Sequence, residues 1–290
     1  MELLSPGGTD VLIRELVQEH TGMLFDKDKN DLLLDKLSPL VLDRGFTSFL
    51  DYYYLLKYDE SADQEWRKVM DAISVQETFF WREMDQIRSL VDVLIPEWAR
   101  SRNGKPLRIW SAACATGEEP LSIAMALSEG GWFERIPIEI VGTDASCAAL
   151  KKAKAGVFRE RAFRNLPLSL RNKYFSKEGN EWRISPEIQS RVRWDLANLV
   201  NRNEIAPFAE SPFIFCRNVF IYFSIEMIRR VIKTFADHIL SPAYLFVGVS
   251  ESLLKVSNDF DLINVGEAFV YKLTTDRAQS EKRDYELQQR

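Results

Sequence analysis

Histidine and cysteine are scarce in this chain of 290 residues, and each scarcity removes a class of chemistry. The two histidines, His20 and His238, lie far apart and neither has a second ligand at metal spacing, so no zinc site and no Ser-His-Asp hydrolase is expected. The nearest approach to a nucleophile elbow, Gly248-Val249-Ser250-Glu251-Ser252, lacks its final glycine. Three widely spaced cysteines, Cys114, Cys147 and Cys216, make neither a disulfide framework nor a metal cluster and fit a reducing, cytoplasmic setting. Long apolar runs are missing too. The longest, Phe213 to Cys216 and Tyr244 to Val249, fall far short of the ~18 residues of a membrane span. Met1 to Asp10 hold acids, proline and glycine where a signal peptide needs a basic start and an apolar run, so membrane insertion and export are not expected. No basic stripe interleaved with aromatics is present, which sets nucleic acid aside as a partner.

What is present describes a globular chain: 46% hydrophobic and 28% charged residues, with 13 Gly and 11 Pro and no biased tract. Charge divides it. Residues 1–72 hold 8 Lys/Arg against 15 Asp/Glu, leaving 30 against 28 for the rest, so the first 72 residues carry −7 and residues 73–290 carry +2. The first part has helical periodicity. Val11, Leu12, Leu16 and Val17, then Leu32, Leu33, Leu37, Leu40 and Val41, predict two amphipathic helices stopped at Thr21-Gly22 and Asp43-Arg44-Gly45. Ser48 to Lys57 and Glu65 to Ala72 supply two more, predicting an all-α domain over 1–72.

Beyond residue 104 strands and helices alternate: Leu107–Ser111, Glu118–Ser128, Ile136–Thr143 and Ser146–Ala155, then Phe213–Cys216, Ser224–Leu240, Ala243–Val249 and Ala268–Leu273. The pattern predicts an α/β domain over 73–290 with a mostly parallel, Rossmann-like sheet, ligand at the carboxyl ends of its strands. Residues 158–195 interrupt it with basic side chains (Arg159, Arg161, Arg164, Arg171, Lys173) and a hairpin around Glu178-Gly179-Asn180, a candidate inserted β-subdomain. The charged stretch 274–290 is expected to fray.

The first strand runs into Ser111-Ala112-Ala113-Cys114-Ala115-Thr116-Gly117-Glu118-Glu119, whose small side chains let a nucleotide-like ligand approach the backbone at a helix start. Neither G-x-G-x-x-G nor a P-loop is present, and Glu118 would repel a pyrophosphate but welcome an ammonium group. Asp144 ends the second strand where a carboxylate grips a ribose diol. A phosphate-free adenosine bearing an amino group is S-adenosylmethionine.

Three stretches then carry a resemblance. Ser74-Val75-Gln76-Glu77-Thr78-Phe79-Phe80-Trp81-Arg82-Glu83, Trp110 to Ala124 (WSAACATGEEPLSIA) and Phe215-Cys216-Arg217-Asn218-Val219-Phe220-Ile221-Tyr222-Phe223 resemble the signature segments of the CheR-type methyltransferases of bacterial chemoreceptors, in the same order. The resemblance spans about Val11 to Leu273. It implies transfer of a methyl group from S-adenosylmethionine to glutamates on the cytoplasmic helices of methyl-accepting chemotaxis receptors, giving methyl esters and S-adenosylhomocysteine, by a monomer without a metal. It further implies cofactor contacts from Gln76, Thr78, Arg82, Ala113, Glu118 (methionine amino end), Asp144 (ribose), Asn198 and Leu199 (adenine), Arg217 and Asn218, with Arg82 and Tyr222 beside the reacting sulfonium. Gln76 departs from an asparagine common at that position. Cys114 and Cys216 read as packing residues, and Tyr222 could equally be a core aromatic. A glutamate nucleophile is ionised at neutral pH, its unperturbed pKa being ~4.3, so no general base is needed. A non-catalytic binder of the same cofactor and a small-molecule O-methyltransferase remain alternative readings. Between Phe175 and Trp182 the hairpin has a single glycine, too little for the longer, glycine-rich loop with which some relatives hold a receptor C-terminal peptide.

Overall fold

The computed structural model describes Leu3 and residues 7–101 and 104–274; the expected frayed stretch lies, after Thr274, outside the described residues. Four helices form the first domain as expected: α1 (Thr9–Thr21), α2 (Asn30–Asp43), α3 (Phe49–Tyr58) and α4 (Ala62–Ile73). Ile13, Leu16 and Val17 of α1, Leu33, Leu37 and Val41 of α2, and Tyr52, Leu56, Val69 and Ile73 bury into one core, because three- and four-residue spacings put them on single helix faces. α1 ends where Gly22, at φ 77°, turns its N–H back to the Gln18 carbonyl. Glu65 is fully buried in this domain. Its carboxylate stays there because Arg44 Nε (2.8 Å) and Tyr52 Oη (3.0 Å) donate to it and Lys68 Nζ lies 3.3 Å away. Burial first, and the Glu65 charge second, push the Tyr52 hydroxyl well above its ordinary pKa.

A second helical run, absent from the sequence expectation, covers α5 (Met84–Ser89), a π-helical turn (Leu90–Leu94) and α6 (Ile95–Ser101). It packs under the main sheet, with Gln86 Nε2 donating to the Val247 carbonyl (2.8 Å) and Ser89 Oγ to Val265 (2.6 Å).

The second domain is a seven-stranded sheet. Its strands are β1 (Leu107–Ala112), β2 (Ile138–Asp144), β6 (Val192–Leu196), β7 (Phe213–Phe215), β8 (Tyr244–Phe246), β9 (Phe260–Val265) and β10 (Ala268–Leu273), in the spatial order β6-β2-β1-β7-β8-β10-β9. The first five of that order run parallel, β10 runs against them and β9, antiparallel to β10, returns to their direction, so the mostly parallel sheet is as expected. Helices α7 (Glu118–Glu129), α8 (Cys147–Ala155), α11 (Arg202–Ala209) and α12 (Ile225–His238) connect them. Two strands escaped the sequence reading, β9 and β6, and both are edges. Val192-Arg193-Trp194-Asp195-Leu196 falls within the expected 158–195 insertion yet pairs with β2 of the large sheet. An edge strand is covered on one side only, so neither shows the continuous apolar run of Phe213–Phe215, whose three side chains are all buried.

The insertion proper is a three-stranded sheet, β3 (Val157–Arg159), β5 (Glu181–Ile184) and β4 (Phe175–Glu178), ordered β3-β5-β4, with α9 (Leu168–Tyr174) between β3 and β4 and α10 (Pro186–Gln189) after β5. β4 and β5 join through the two-residue turn Gly179-Asn180. Phe80 ties this sheet to the body: its N–H donates to the Ala162 carbonyl (2.9 Å) and its ring stands edge-on to Phe158 and Phe175. The helical domain docks at the carboxyl end of the large sheet. Asp71 of α4 accepts from Ser146 Oγ (2.7 Å) and Ala148 N–H (3.0 Å), adding a second cap to the α8 start, and the Leu24 N–H donates to the Tyr222 carbonyl (2.7 Å).

Candidate active site

One cleft opens at the carboxyl ends of β1, β2 and β7, between the helical domain and the sheet. Thr21, Met23 and Met70 come from the helical domain, Ser74 to Phe79 and Arg82 from the following segment, Ala113, Cys114 and Ala115 from the β1–α7 turn, Glu119 and Ser122 from the start of α7, Asp144 and Ala145 from the end of β2, and Ala197 to Leu199 from the stretch after β6. Arg217, Asn218, Val219, Tyr222 and Phe223 close it. The sequence-expected residues Gln76, Thr78, Arg82, Ala113, Asp144, Asn198, Leu199, Arg217, Asn218 and Tyr222 thus meet in a single place.

The backbone is unusual where it faces this cleft. Ala113 (φ 57°), Ala115 (φ 48°) and Asn218 (φ 59°) line it in left-handed conformations, as do Trp81 (φ 67°) and Glu83 (φ 50°) just behind it. Such strain costs of order 1–3 kcal/mol per residue and concentrates at sites that must present backbone to a ligand. The Ala113–Gly117 turn bends sharply enough for the Ala115 N–H to reach Asp144 Oδ2 (2.8 Å), and Gly117 has no room for a side chain, since a Cβ there would stand 2.7 Å from the Trp194 ring.

Asp144 is held from both sides, Oδ1 accepting from the Ser146 N–H (2.8 Å). Each oxygen keeps a lone pair for a hydroxyl pair. Burial, partly countered by the Ser146 and Ala115 N–H donors, raises its pKa above the ordinary carboxylate value. Because a ribose diol donates to the ionised form, cofactor affinity is expected to fall as pH drops toward that raised pKa, earlier than for an exposed aspartate. Calorimetric titration of S-adenosylhomocysteine from pH 7.5 to 5.5 checks this. The dissociation constant should rise on acidification in the native chain and stay flat in Asp144→Asn, whose affinity should be weaker by roughly 1–3 kcal/mol throughout.

Behind the cleft runs a buried polar chain that the sequence did not disclose. Arg217, 2% exposed in its side chain, donates from Nε to Glu119 Oε2 (2.6 Å) and from Nη1 to the Glu83 carbonyl (3.2 Å) and Gln86 Oε1 (3.3 Å). Glu119 also accepts from Ser111 Oγ (2.6 Å). Asn218 Nδ2 donates to Glu83 Oε1 (3.3 Å). Glu251, from the rejected nucleophile-elbow segment, accepts from the backbone N–H groups of Asn218, Phe220 and Gly248 (2.7 Å each) and Ile221 (3.3 Å). It therefore shapes the loop that carries Asn218 and Tyr222.

The two acids that open α7 are placed differently: Glu118 is buried beside the turn, accepting from Thr116 Oγ1 (2.6 Å) on one carboxylate oxygen, and Glu119 lines the cleft. Consecutive residues point about 100° apart around a helix axis, so the pair present their carboxylates in different directions. Burial raises the Glu118 pKa. The doubled acid in the motif was the available signal for Glu119. Elsewhere the expected residues have protein partners: Gln76 Oε1 accepts from Lys152 Nζ (2.8 Å), and Asn198 Nδ2 donates to the His20 carbonyl (2.7 Å). Cys114 and Cys216 are buried thiols whose pKa burial drives upward, which suits packing. Among the described residues no group of three or more His, Cys, Asp or Glu is placed to hold a metal.

These residues fit S-adenosylmethionine: an acceptor carboxylate at the end of β2, a low-profile turn at Ala113–Ala115, apolar Leu199 nearby, and the acid pair Glu118-Glu119 for an ammonium group. Comparison with known proteins agrees. Residues 76–269 match the family described as CheR methyltransferase, SAM binding domain, and residues 11–74 match the CheR methyltransferase all-alpha domain. A chemotaxis protein methyltransferase 2 of Vibrio cholerae is 35% identical over 250 residues, covering 85% of this chain and 86% of its own. A chemotaxis protein methyltransferase 1 of Pseudomonas aeruginosa is 30% identical over 270 residues, covering 90% and 96%. A third relative, from Pseudomonas putida, is 29% identical over 279 residues, covering 93% and 99%. The chain belongs to the CheR methyltransferase family, with the S-adenosylmethionine-binding domain and the all-α domain both present.

Proposed function

We propose that this chain esterifies glutamate side chains in the cytoplasmic helical region of methyl-accepting chemotaxis receptors, leaving S-adenosylhomocysteine. The observation that carries this reading is the make-up of the cleft. Its lining includes neither histidine nor lysine, its thiol is buried, and its carboxylates are already engaged, Glu119 by Arg217, Glu77 by Arg164 and Asp144 by the Ala115 and Ser146 N–H groups. A hydroxyl or amine acceptor needs a base at such a site, whereas a carboxylate arrives already ionised. When bound, the cofactor supplies an electrophilic methyl on a sulfonium.

The chain's residues then position and desolvate. Asp144 takes the ribose, the acid pair Glu118-Glu119 at the start of α7 the amino end, and Asn198 and Leu199 flank the base. Thr78 and Gln76 line the mouth. Arg82 is loosely tied, with Nη1 to the Glu77 carbonyl (3.3 Å) and Nε 3.8 Å from Glu83, so its guanidinium is free to turn and grip a carboxylate. Tyr222 lines the cleft on the loop that Glu251 holds. The two-residue turn at Gly179-Asn180 favours receptor recognition without a C-terminal tether.

Incubation with labelled S-adenosylmethionine, a purified receptor cytoplasmic fragment and small carboxylic acids tests the reading, with base-labile label located by mass spectrometry. Label on receptor glutamates is expected, with Arg82→Ala and Tyr222→Phe each lowering the rate while the chain stays folded. Label confined to a small acid would favour the small-molecule reading, and cofactor binding with no transfer would favour a non-catalytic one. Full turnover by Tyr222→Phe would remove its hydroxyl from the chemistry.

A further inference from the structure

Arg164 extends from the insertion and lies against the cleft wall. It stands close to Phe163 and Leu166, both buried, and the Ala162 carbonyl takes the Phe80 N–H (2.9 Å), so its backbone is fixed to the body of the molecule. Phe163 adds a stacked contact with Phe80 (5.4 Å between ring centres) and an edge-on one with Phe175 (4.9 Å). From that base the Arg164 guanidinium makes two contacts with residues that line the cleft: Nη2 donates to Glu77 Oε1 (2.8 Å), and Cζ lies 3.6 Å from the centre of the Phe79 ring. The bond to Arg164 is the main cause that holds the Glu77 carboxyl below its ordinary pKa.

Arg82 uses the same two residues. Its Nη1 donates to the Glu77 main-chain carbonyl (3.3 Å), and its Cζ stands 5.4 Å from the centre of the Phe79 ring. Its further tie, Nε to Glu83, is 3.8 Å long. With contacts this loose, the Arg82 guanidinium takes its direction from whatever fixes Glu77 and Phe79. Residues 74–79 are neither helix nor strand, so the stretch is held through side chains such as Arg164 and, at Gln76, Lys152 (2.8 Å).

We propose that Arg164 is a positioning residue: it fixes Glu77 and Phe79 and thereby aims the Arg82 guanidinium at the acceptor carboxylate, so that the inserted sheet completes the active site. This rests on the receptor-glutamate reading above, in which Arg82 grips the acceptor. An exposed ion pair or a cation over a ring contributes little to the fold on its own. A planar guanidinium that makes both contacts at once sets the Glu77 carboxylate and the Phe79 ring in one fixed relation, which a lysine cannot do. The consequence falls on the reaction, because an acceptor held out of line loses rate even where the fold is unchanged.

The test uses the full chain, a purified receptor cytoplasmic fragment and labelled S-adenosylmethionine. Arg164→Ala is expected to lower kcat for the fragment about five- to tenfold, with S-adenosylhomocysteine affinity within about twofold of native and a near-native denaturant midpoint. Arg164→Lys keeps the ion pair without the flat contact and should fall between the two. In an Arg82→Ala background, with label counted over long incubations, removing Arg164 as well should lower kcat by no more than about twofold, because the side chain it aims is gone. A native kcat in Arg164→Ala overturns the positioning role. So does a full further loss on top of Arg82→Ala, which would mean that Arg164 acts independently of Arg82, or a loss of cofactor affinity as large as the loss of rate, which would mean that it supports the whole cleft. In each of those cases the native chain still labels receptor glutamates and glutamate methylation stands. Failure of the native chain to label them overturns that reading and the positioning role with it.

Discussion

Arg217→Ala is expected to lower the unfolding free energy by about 3–5 kcal/mol and to reduce cofactor binding severely. The guanidinium is buried between Glu119 at 2.6 Å and Glu83 at 3.6 Å, and among the described residues it is the cation paired with Glu119, whose other oxygen accepts from the neutral Ser111 hydroxyl. Its removal strands a carboxylate in a poorly solvated place, which costs far more than the pair contributes. Arg217→Lys keeps the charge without the planar fork and should recover part of the stability but not the cofactor affinity. Arg217→Met combined with Glu119→Gln separates the causes. If stranded charge is the main cost, the double variant is more stable than Arg217→Met alone; equal stability would assign the loss to packing instead. Denaturant midpoints and calorimetry with S-adenosylhomocysteine measure both quantities.

Glu251→Ala is expected to cut the methylation rate at least 100-fold, which corresponds to ~2.7 kcal/mol in the barrier, and to destabilise the fold by about 2–4 kcal/mol. Four backbone N–H groups converge on this carboxylate, three of them on Asn218, Phe220 and Ile221 within the segment that ends at Tyr222. Asn218 sits at φ 59°, a conformation that its surroundings must enforce. With the anchor gone, the loop relaxes and both Asn218 and Tyr222 leave their places. Glu251→Gln preserves shape and one good acceptor and should be intermediate in both respects. A native rate in Glu251→Ala, measured by label transfer to receptor glutamates, would show that the loop is held by other contacts.

Periodicity alone disclosed the four amphipathic helices and the central strands, because each buries a full face and so writes its period into the chain: Ile13, Leu16 and Val17 on one helix, Phe213 to Phe215 on one strand. Small residues before α7 and the acid ending β2 marked a nucleotide-like ligand, and motif resemblance gathered the remaining site residues. The edge strands β6 and β9 escaped because a half-covered strand has no continuous apolar run, whereas the α5–α6 run was missed although Met84, Ile87, Val91 and Leu94 bury at the same three- and four-residue spacing as the other helices.

By itself, then, the sequence determined the α/β class with its all-α first part, and pointed to a nucleotide-like ligand and to residues that the fold gathers at one cleft, all of which depend on local pattern or on short contiguous motifs. Only the tertiary structure showed that Glu118 and Glu119 face different ways, since they differ by a rotation about α7 and not in residue type. It alone brought Glu83, Glu119, Arg217 and Glu251 into one buried network, because residues up to 168 positions apart meet there only through packing of separate elements. It also placed Arg164 of the insertion against Glu77 and Phe79 in the cleft wall. Charge composition is written in the chain, but where a charge faces is set by how the inserted sheet docks on residues 76–80.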